Sequence, residues 1–175
     1  MKKFCPHQTA FTLIELLVVT SIMGILFTLG IAAYNNFNRN QILGQAAKTL
    51  RNDLRLVQSK ASSGEMDCST SACGGTTDGC GNDIADGTEK TFEGWFISFA
   101  NSPDPRYAFY GKCGGTTFGT KYINLPSGVT FDPMPAYNPV QFSPISRGAS
   151  ADVTITLKSN SGTQTVTITK SGGIN

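Results

Sequence analysis

FTLIELLVVTSIMGILFTLGIAA, residues 11–33, carries a single charge, Glu15, and shows no polar face. The residues before it hold only two charges, Lys2 and Lys3, and nothing after it is comparably apolar. About 20 apolar residues, rising 1.5 Å each in a helix, cross the hydrocarbon of a bilayer. A helix that packs on a soluble core keeps a polar face, and this one has none. The expectation is a membrane-inserted helix over 11–33, with the basic leader cytoplasmic and the rest of the chain outside. A secretory signal fits poorly, because its apolar core runs only about 7–15 residues.

Glu15 asks for a partner, since a carboxylate placed centrally in the bilayer costs about 2.5–3.5 kcal/mol on insertion scales. A short basic leader, the small residue Ala10, and then FTLIELLVV with Glu15 fifth after Ala10 resembles the class III leader of type IV pilins and type II secretion pseudopilins. The resemblance implies cleavage between Ala10 and Phe11 by a prepilin peptidase and N-methylation of the new Phe11 amine. It also implies that Glu15 attracts the Phe11 amine of a neighbouring subunit during filament assembly. Opposite charges 4 Å apart gain about 4 kcal/mol at an effective dielectric near 20, which makes that role physically sound. Ala10 stands where most members carry glycine, and Ala32 where many carry proline. Without that proline the helix keeps a hydrogen bond and loses a kink.

The 175 residues suffice for an anchor and one domain. Loss of residues 1–10 removes Lys2 and Lys3, leaving 14 − 2 = 12 basic residues against 12 acidic ones. The charge is segregated: Arg39, Lys48, Arg51, Arg55 and Lys60 face only Asp53 between residues 35 and 60. From residue 61 onward seven basic residues meet ten acidic ones, a net charge of 7 − 10 = −3. Such a head is a poor electrostatic match for nucleic acid, whose binding depends on neutralising phosphates.

Cys5 departs with the leader, and Cys68, Cys73, Cys80 and Cys113 remain. An even set in a domain delivered outside the cytoplasm reads as two disulfides. A zinc site is the alternative, but the paired C-x₂-C knuckles usual for zinc are missing. Of three possible pairings, Cys73 with Cys80 and Cys68 with Cys113 is the expected one. His7, the sole histidine, also leaves with the leader. No nucleophile context or phosphate-binding glycine loop is recognisable. The sequence offers no catalytic residues, cofactor or metal, so an enzyme is not expected.

After Ala33 the pattern turns amphipathic. Leu43, Ala46, Ala47, Leu50, Leu54, Val57 and Ala61 recur at three- and four-residue steps, the signature of a helix with one core-facing stripe. A helix from Phe11 to Ser62 would be about 78 Å long. The asparagine-rich YNNFNRN, residues 34–40, is the place for local loosening or for a solvated helical stretch. Gly64 supplies a stop. Residues 64–91 show no apolar period, and a connection that long needs staples or a function. Strands are expected at 91–100, 106–113, 121–124, 129–131 and 140–142. A hairpin closes the chain: 152–158 and 164–170 alternate apolar with polar residues around Asn160-Ser161-Gly162. Trp95, Phe96, Phe99, Tyr107, Phe109 and Tyr110 are the expected aromatic core.

The fold class is therefore α+β: a cleaved leader (1–10), an N-terminal spine helix (11–62, with 11–33 transmembrane) and a disulfide-stapled antiparallel β-sheet head (63–175). The helix end LRLVQSKA and the closing GTQTVTITKSGGI resemble minor pseudopilins of the H type and minor pilins of the fimbrial T type. The resemblance implies a structural subunit of a pilus-like or secretion filament. Its partners would be other subunits, the prepilin peptidase and an inner-membrane assembly platform. The subunit would sit in the bacterial inner membrane with its head outside, and later in a periplasmic or extracellular filament. Two alternatives remain: a DNA-binding uptake pilin, and a single-pass anchored binding domain that never polymerises.

Overall fold

A computed structural model of the chain describes residues 12–66, 91–144 and 148–175, and for 28–30 and 32–33 the backbone alone. One long helix comes first, α1 (Leu13–Ser63, 51 residues). No proline lies between His7 and Ser102, so nothing in this stretch removes a helical hydrogen bond. Its end is chemically defined. Gly64 adopts φ 68°, Glu65 N donates to Lys60 O (3.0 Å), and Gly64 N donates to Ala61 O (3.2 Å). Those two bonds make a Schellman cap, whose left-handed residue glycine supplies without a Cβ penalty.

The chain divides into two compact units inside this helix, one ending at Asn38 and the other beginning at Arg39. The division falls within YNNFNRN, which is helical throughout with each of residues 34–40 exposed. Of the two expectations for that stretch, the solvated helix is the one observed.

The second unit joins the helix end to two antiparallel sheets. Sheet A holds β1 (Phe92–Ala100), β2 (Arg106–Cys113), β3 (Thr116–Asn124) and β5 (Val140–Phe142) in the order β3-β2-β1-β5. Sheet B holds β4 (Thr130–Phe131), β6 (Val153–Ser159) and β7 (Gly162–Ile168) in the order β4-β6-β7. All seven apolar residues of the expected helical stripe are buried, and they form one cluster with side chains of both sheets. Leu50, Leu54 and Val57 are 0% exposed. Burying each such side chain contributes about 1.5–3 kcal/mol.

Three expectations need correction. Trp95, Phe99, Tyr107 and Phe109 join the cluster, whereas Phe96, though buried as expected, and half-buried Tyr110 lie outside it. Strand alternation sends them to the opposite face of sheet A, where they pair across β1 and β2 and stack at 5.7 Å. Strand β3 begins at Thr116 rather than Lys121, because Gly114-Gly115 alone make the turn and Cys113 already pairs with Thr116. Its early residues look loop-like in sequence, yet Phe118 packs edge-on to Trp95 at 5.5 Å. Strand β7 occupies Gly162–Ile168 rather than 164–170, since Ser159 pairs with Gly162 across a two-residue turn. It stops where Thr169 closes a turn onto Gly173 (N to O, 2.9 Å), which brings Asn175 back beside Thr167 (3.0 and 3.1 Å).

Side-chain amides complete the sheets. Asn138 exchanges two bonds with the Phe99 backbone (2.9 and 2.8 Å), and Asn101 does the same with Phe131 (3.1 and 2.7 Å). The Asn101 pair ties the end of β1 to β4 in the other sheet. Gly94, at φ 116°, sits at the register shift of β1, where a Cβ would run into the Phe142 carbonyl. That position needs glycine.

Polar bonds set the helix against both sheets. Tyr107 of sheet A donates its hydroxyl to Asp53 Oδ2 at 2.5 Å. On the other flank Arg51 reaches Thr165 O (3.3 Å), Arg55 reaches Ile174 O (3.3 Å) and Gln58 reaches Gly172 O (2.9 Å). Burial, then the Asp53 hydrogen bond and charge, pushes the Tyr107 phenol well above its ordinary value of 10.0. The phenolate is thus disfavoured in the fold, so this group's contribution is complete below pH 10 and is lost as pH rises beyond it. Each pH unit past that point should cost the wild type about 1.4 kcal/mol. A Tyr107→Phe head should be about 1.5–3 kcal/mol weaker at neutral pH, the worth of a bond to a charged group, and lack this alkaline fall. Urea midpoints at pH 8 and pH 11 check both; equal alkaline losses in the two proteins would refute the assignment.

Candidate functional site

The N-terminal helix begins at Thr12-Leu13-Ile14-Glu15, a T-x-x-E sequence. Thr12 is the N-cap: its carbonyl accepts Leu16 N (3.2 Å), the first helical bond. Its Oγ1 accepts Glu15 N (3.3 Å), while Glu15 Oε2 accepts Thr12 N (3.2 Å) and Thr12 Oγ1 (3.1 Å). This reciprocal pairing is a capping box, and it satisfies amides that the first turn would otherwise leave open. The glutamate charge also lies at the positive end of the helix dipole. Only Oε2 is used, and Oε1 accepts no bond from any described residue.

From Leu13 to Phe27 the side chains are exposed on every face of the helix. Leu13 is 82% and Phe27 74% exposed, values at which apolar groups in water would be unfavourable. The two hydroxyls in this run turn inward to the backbone. Thr20 Oγ1 donates to Leu17 O (3.0 Å) and Ser21 Oγ to the same carbonyl (2.8 Å). A polar group that finds its partner within its own helix can enter an apolar phase at little cost. A Cβ at Gly24 would meet nothing within 4 Å, so no contact among the described residues calls for glycine there. Among the described residues no helix is long and apolar enough to cross a membrane. The expected span, 11–33, extends past the described side chains at both ends.

Of the expected site residues, Glu15 is exposed at the helix start. Ala10 and Phe11 lie outside the described residues, as do Cys68, Cys73 and Cys80. Cys113 is buried at the end of β2 and is disulfide-bonded. Its partner lies outside the described residues, and so does the expected pairing. Sequence reasoning overlooked the capping role of Thr12, although T-x-x-E before an apolar run was there to be read. It also overlooked the Asp53–Tyr107 bond, for which nothing local in the sequence is a signal.

Residues 5–31 match the prokaryotic N-terminal methylation motif. The match supports a type IV pilin-like precursor, and the motif implies leader processing by prepilin peptidase and assembly with other pilin subunits. No curated protein and no solved structure matches the chain.

Proposed function

We propose that the chain is a minor pilin or pseudopilin, a filament subunit without enzymatic activity whose mature form begins at N-methylated Phe11. The observation that carries this reading is a helix apolar on every face from Leu13 to Phe27, whose polar groups are bonded within the helix itself. Such a surface needs lipid before assembly and other helices afterwards. In the membrane the helix anchors a head outside the cytoplasm; in the filament it packs among its neighbours. Glu15 keeps one oxygen for the Phe11 amine of an adjacent subunit while the other holds the helix cap. The resemblance at the helix end and closing hairpin favours the pseudopilin H or fimbrial T type.

Intact mass of protein from membranes and sheared filaments tests the processing. The expected species lacks residues 1–10 and is heavier by one methyl group. Assembled material that retains Met1 to Ala10 would refute it.

A further inference from the structure

The edge strands of the two sheets are β4 and β7 in sheet B, β5 and β3 in sheet A. Strand β7 is covered by the returning C-terminus, where Thr167 and Asn175 exchange bonds (3.0 and 3.1 Å), and Arg51 takes the Thr165 carbonyl. Strands β4 and β5 are two and three residues long, and Gln141 O of β5 accepts Ser150 N (2.8 Å). Strand β3 is nine residues long, pairs only with β2, and is exposed except at Phe118 and Ile123. Natural sheets keep such edges short, covered or heavily charged. Residues along an antiparallel strand direct their N–H and C=O alternately to its two sides. Leu125 N donates to Pro105 O (2.9 Å), so Ile123 and Lys121 also face β2 while Tyr122 and Asn124 aim outward. Among the described residues no strand lies on that outer side.

The same edge borders α1. Sheet B closes one flank of the helix through the bonds of Arg51, Arg55 and Gln58. On the flank towards β3 lie two clefts. One, of about 460 Å³, is lined by Leu56 and Lys60 of α1 together with Trp95, Phe109 and Lys121. The other, of about 350 Å³, is lined by Ile42 and Ala46 of α1 together with Ile123 and Leu125. The two differ in charge. In the first, Lys60 is paired with Glu65, whereas Lys121 lies 5.8 Å from the Phe109 ring centre. Among the described residues no carboxylate comes within 4.0 Å of Lys121. No charged side chain lines the second.

We propose that the open edge of β3 takes up an extended segment of another protein as a further strand of sheet A. The segment places a carboxylate in the Lys121 cleft and an apolar side chain in the Ile123–Leu125 cleft. In strand addition the main-chain bonds supply affinity, and pockets for alternate side chains supply specificity. Side chains that enter one face of a strand are an even number of residues apart. From Lys121 to Leu125 is four residues, about 13 Å along the strand. A second copy of β3 is the wrong occupant. Residues 116–124 include Lys121 and no acid, so pairing two copies would bring cation to cation. The groove lies within the second compact unit, and the contact needs no filament in order to form.

Amide hydrogen exchange on the mature full-length protein in detergent tests this. The probe is a short threonine-rich peptide with one aspartate and one valine four residues apart. Bound peptide should slow exchange at the Tyr122 and Asn124 amides about tenfold or more, because an added strand must bond them. Two further peptides are N-methylated at alternate amides, one set each. One should bind and the other should not, since only one side of an added strand faces β3. Lys121→Glu should weaken the aspartate peptide about tenfold or more and favour a peptide with lysine in its place. An unchanged urea midpoint, read from Trp95, shows that this variant keeps its fold. Absence of protection at about 1 mM peptide would overturn the proposal. So would equal binding of the two methylated peptides, or binding indifferent to Lys121→Glu. Protection of the same amides without peptide, lost on dilution, would give the edge to a second copy and overturn it as well.

Discussion

Glu15→Gln subunits should accumulate in the membrane at wild-type levels and yet fail to enter filaments, whereas Thr12→Ala subunits should enter them. The two variants separate the two roles of one carboxylate. Glutamine keeps an oxygen that can accept from Thr12 N and Oγ1, which in the wild type lie 3.2 and 3.1 Å from Glu15 Oε2. The helix start is therefore retained while the charge is lost. Attraction to an amine 4 Å away is worth about 4 kcal/mol at an effective dielectric near 20. At 1.4 kcal/mol per decade, its removal should lower incorporation about a thousandfold. Thr12→Ala leaves the charge in place and removes the cap, a local loss of about 0.5–2 kcal/mol. Immunoblots of sheared filaments, normalised to membrane levels of each variant, read the difference. Wild-type incorporation of Glu15→Gln would refute the charge role. A Thr12→Ala defect as deep as that of Glu15→Gln would assign the residue to the cap instead.

Leu54→Ala should destabilise the head by about 2–5 kcal/mol, the range for a large-to-small change that leaves a cavity. Leu54 is 0% exposed and belongs to the cluster that joins helix and sheets. Against a total of about 5–15 kcal/mol for an ordinary domain, that loss is a large fraction. Leu56→Ala, two residues along, is the control. Leu56 is 44% exposed, and such surface changes usually stay within about 0.5 kcal/mol. Trp95 is the only tryptophan and is 3% exposed, so its emission in a urea titration of the full chain in detergent reports head unfolding alone. Equal midpoints for the two variants would mean that the helical stripe does not hold the head together.

Periodicity along one chain was enough to determine much of this protein. An apolar run without a polar face, followed by Leu43-to-Ala61 spacing at three and four residues, specifies a single helix whose second half must bury one stripe. Alternation at 153–158 and 165–168 specifies the closing hairpin, because side chains that alternate faces leave a period of two in the sequence. The leader and Glu15 were legible because their chemistry resides in consecutive residues.

The tertiary structure decided what depends on residues distant in sequence. That Phe96 stacks on Tyr110 across sheet A, while Trp95 enters the core, depends on which face of β1 meets the helix. The early start of β3 depends on a turn only two glycines long and on Phe118 finding Trp95. Asp53 looked like a partial counterweight to the basic helix until Tyr107, 54 positions away, turned it inward. Among the described residues no carboxylate then comes within 4.0 Å of the basic ends of Lys48, Arg51 or Arg55, because a charge is paired only by what lies next to it in space.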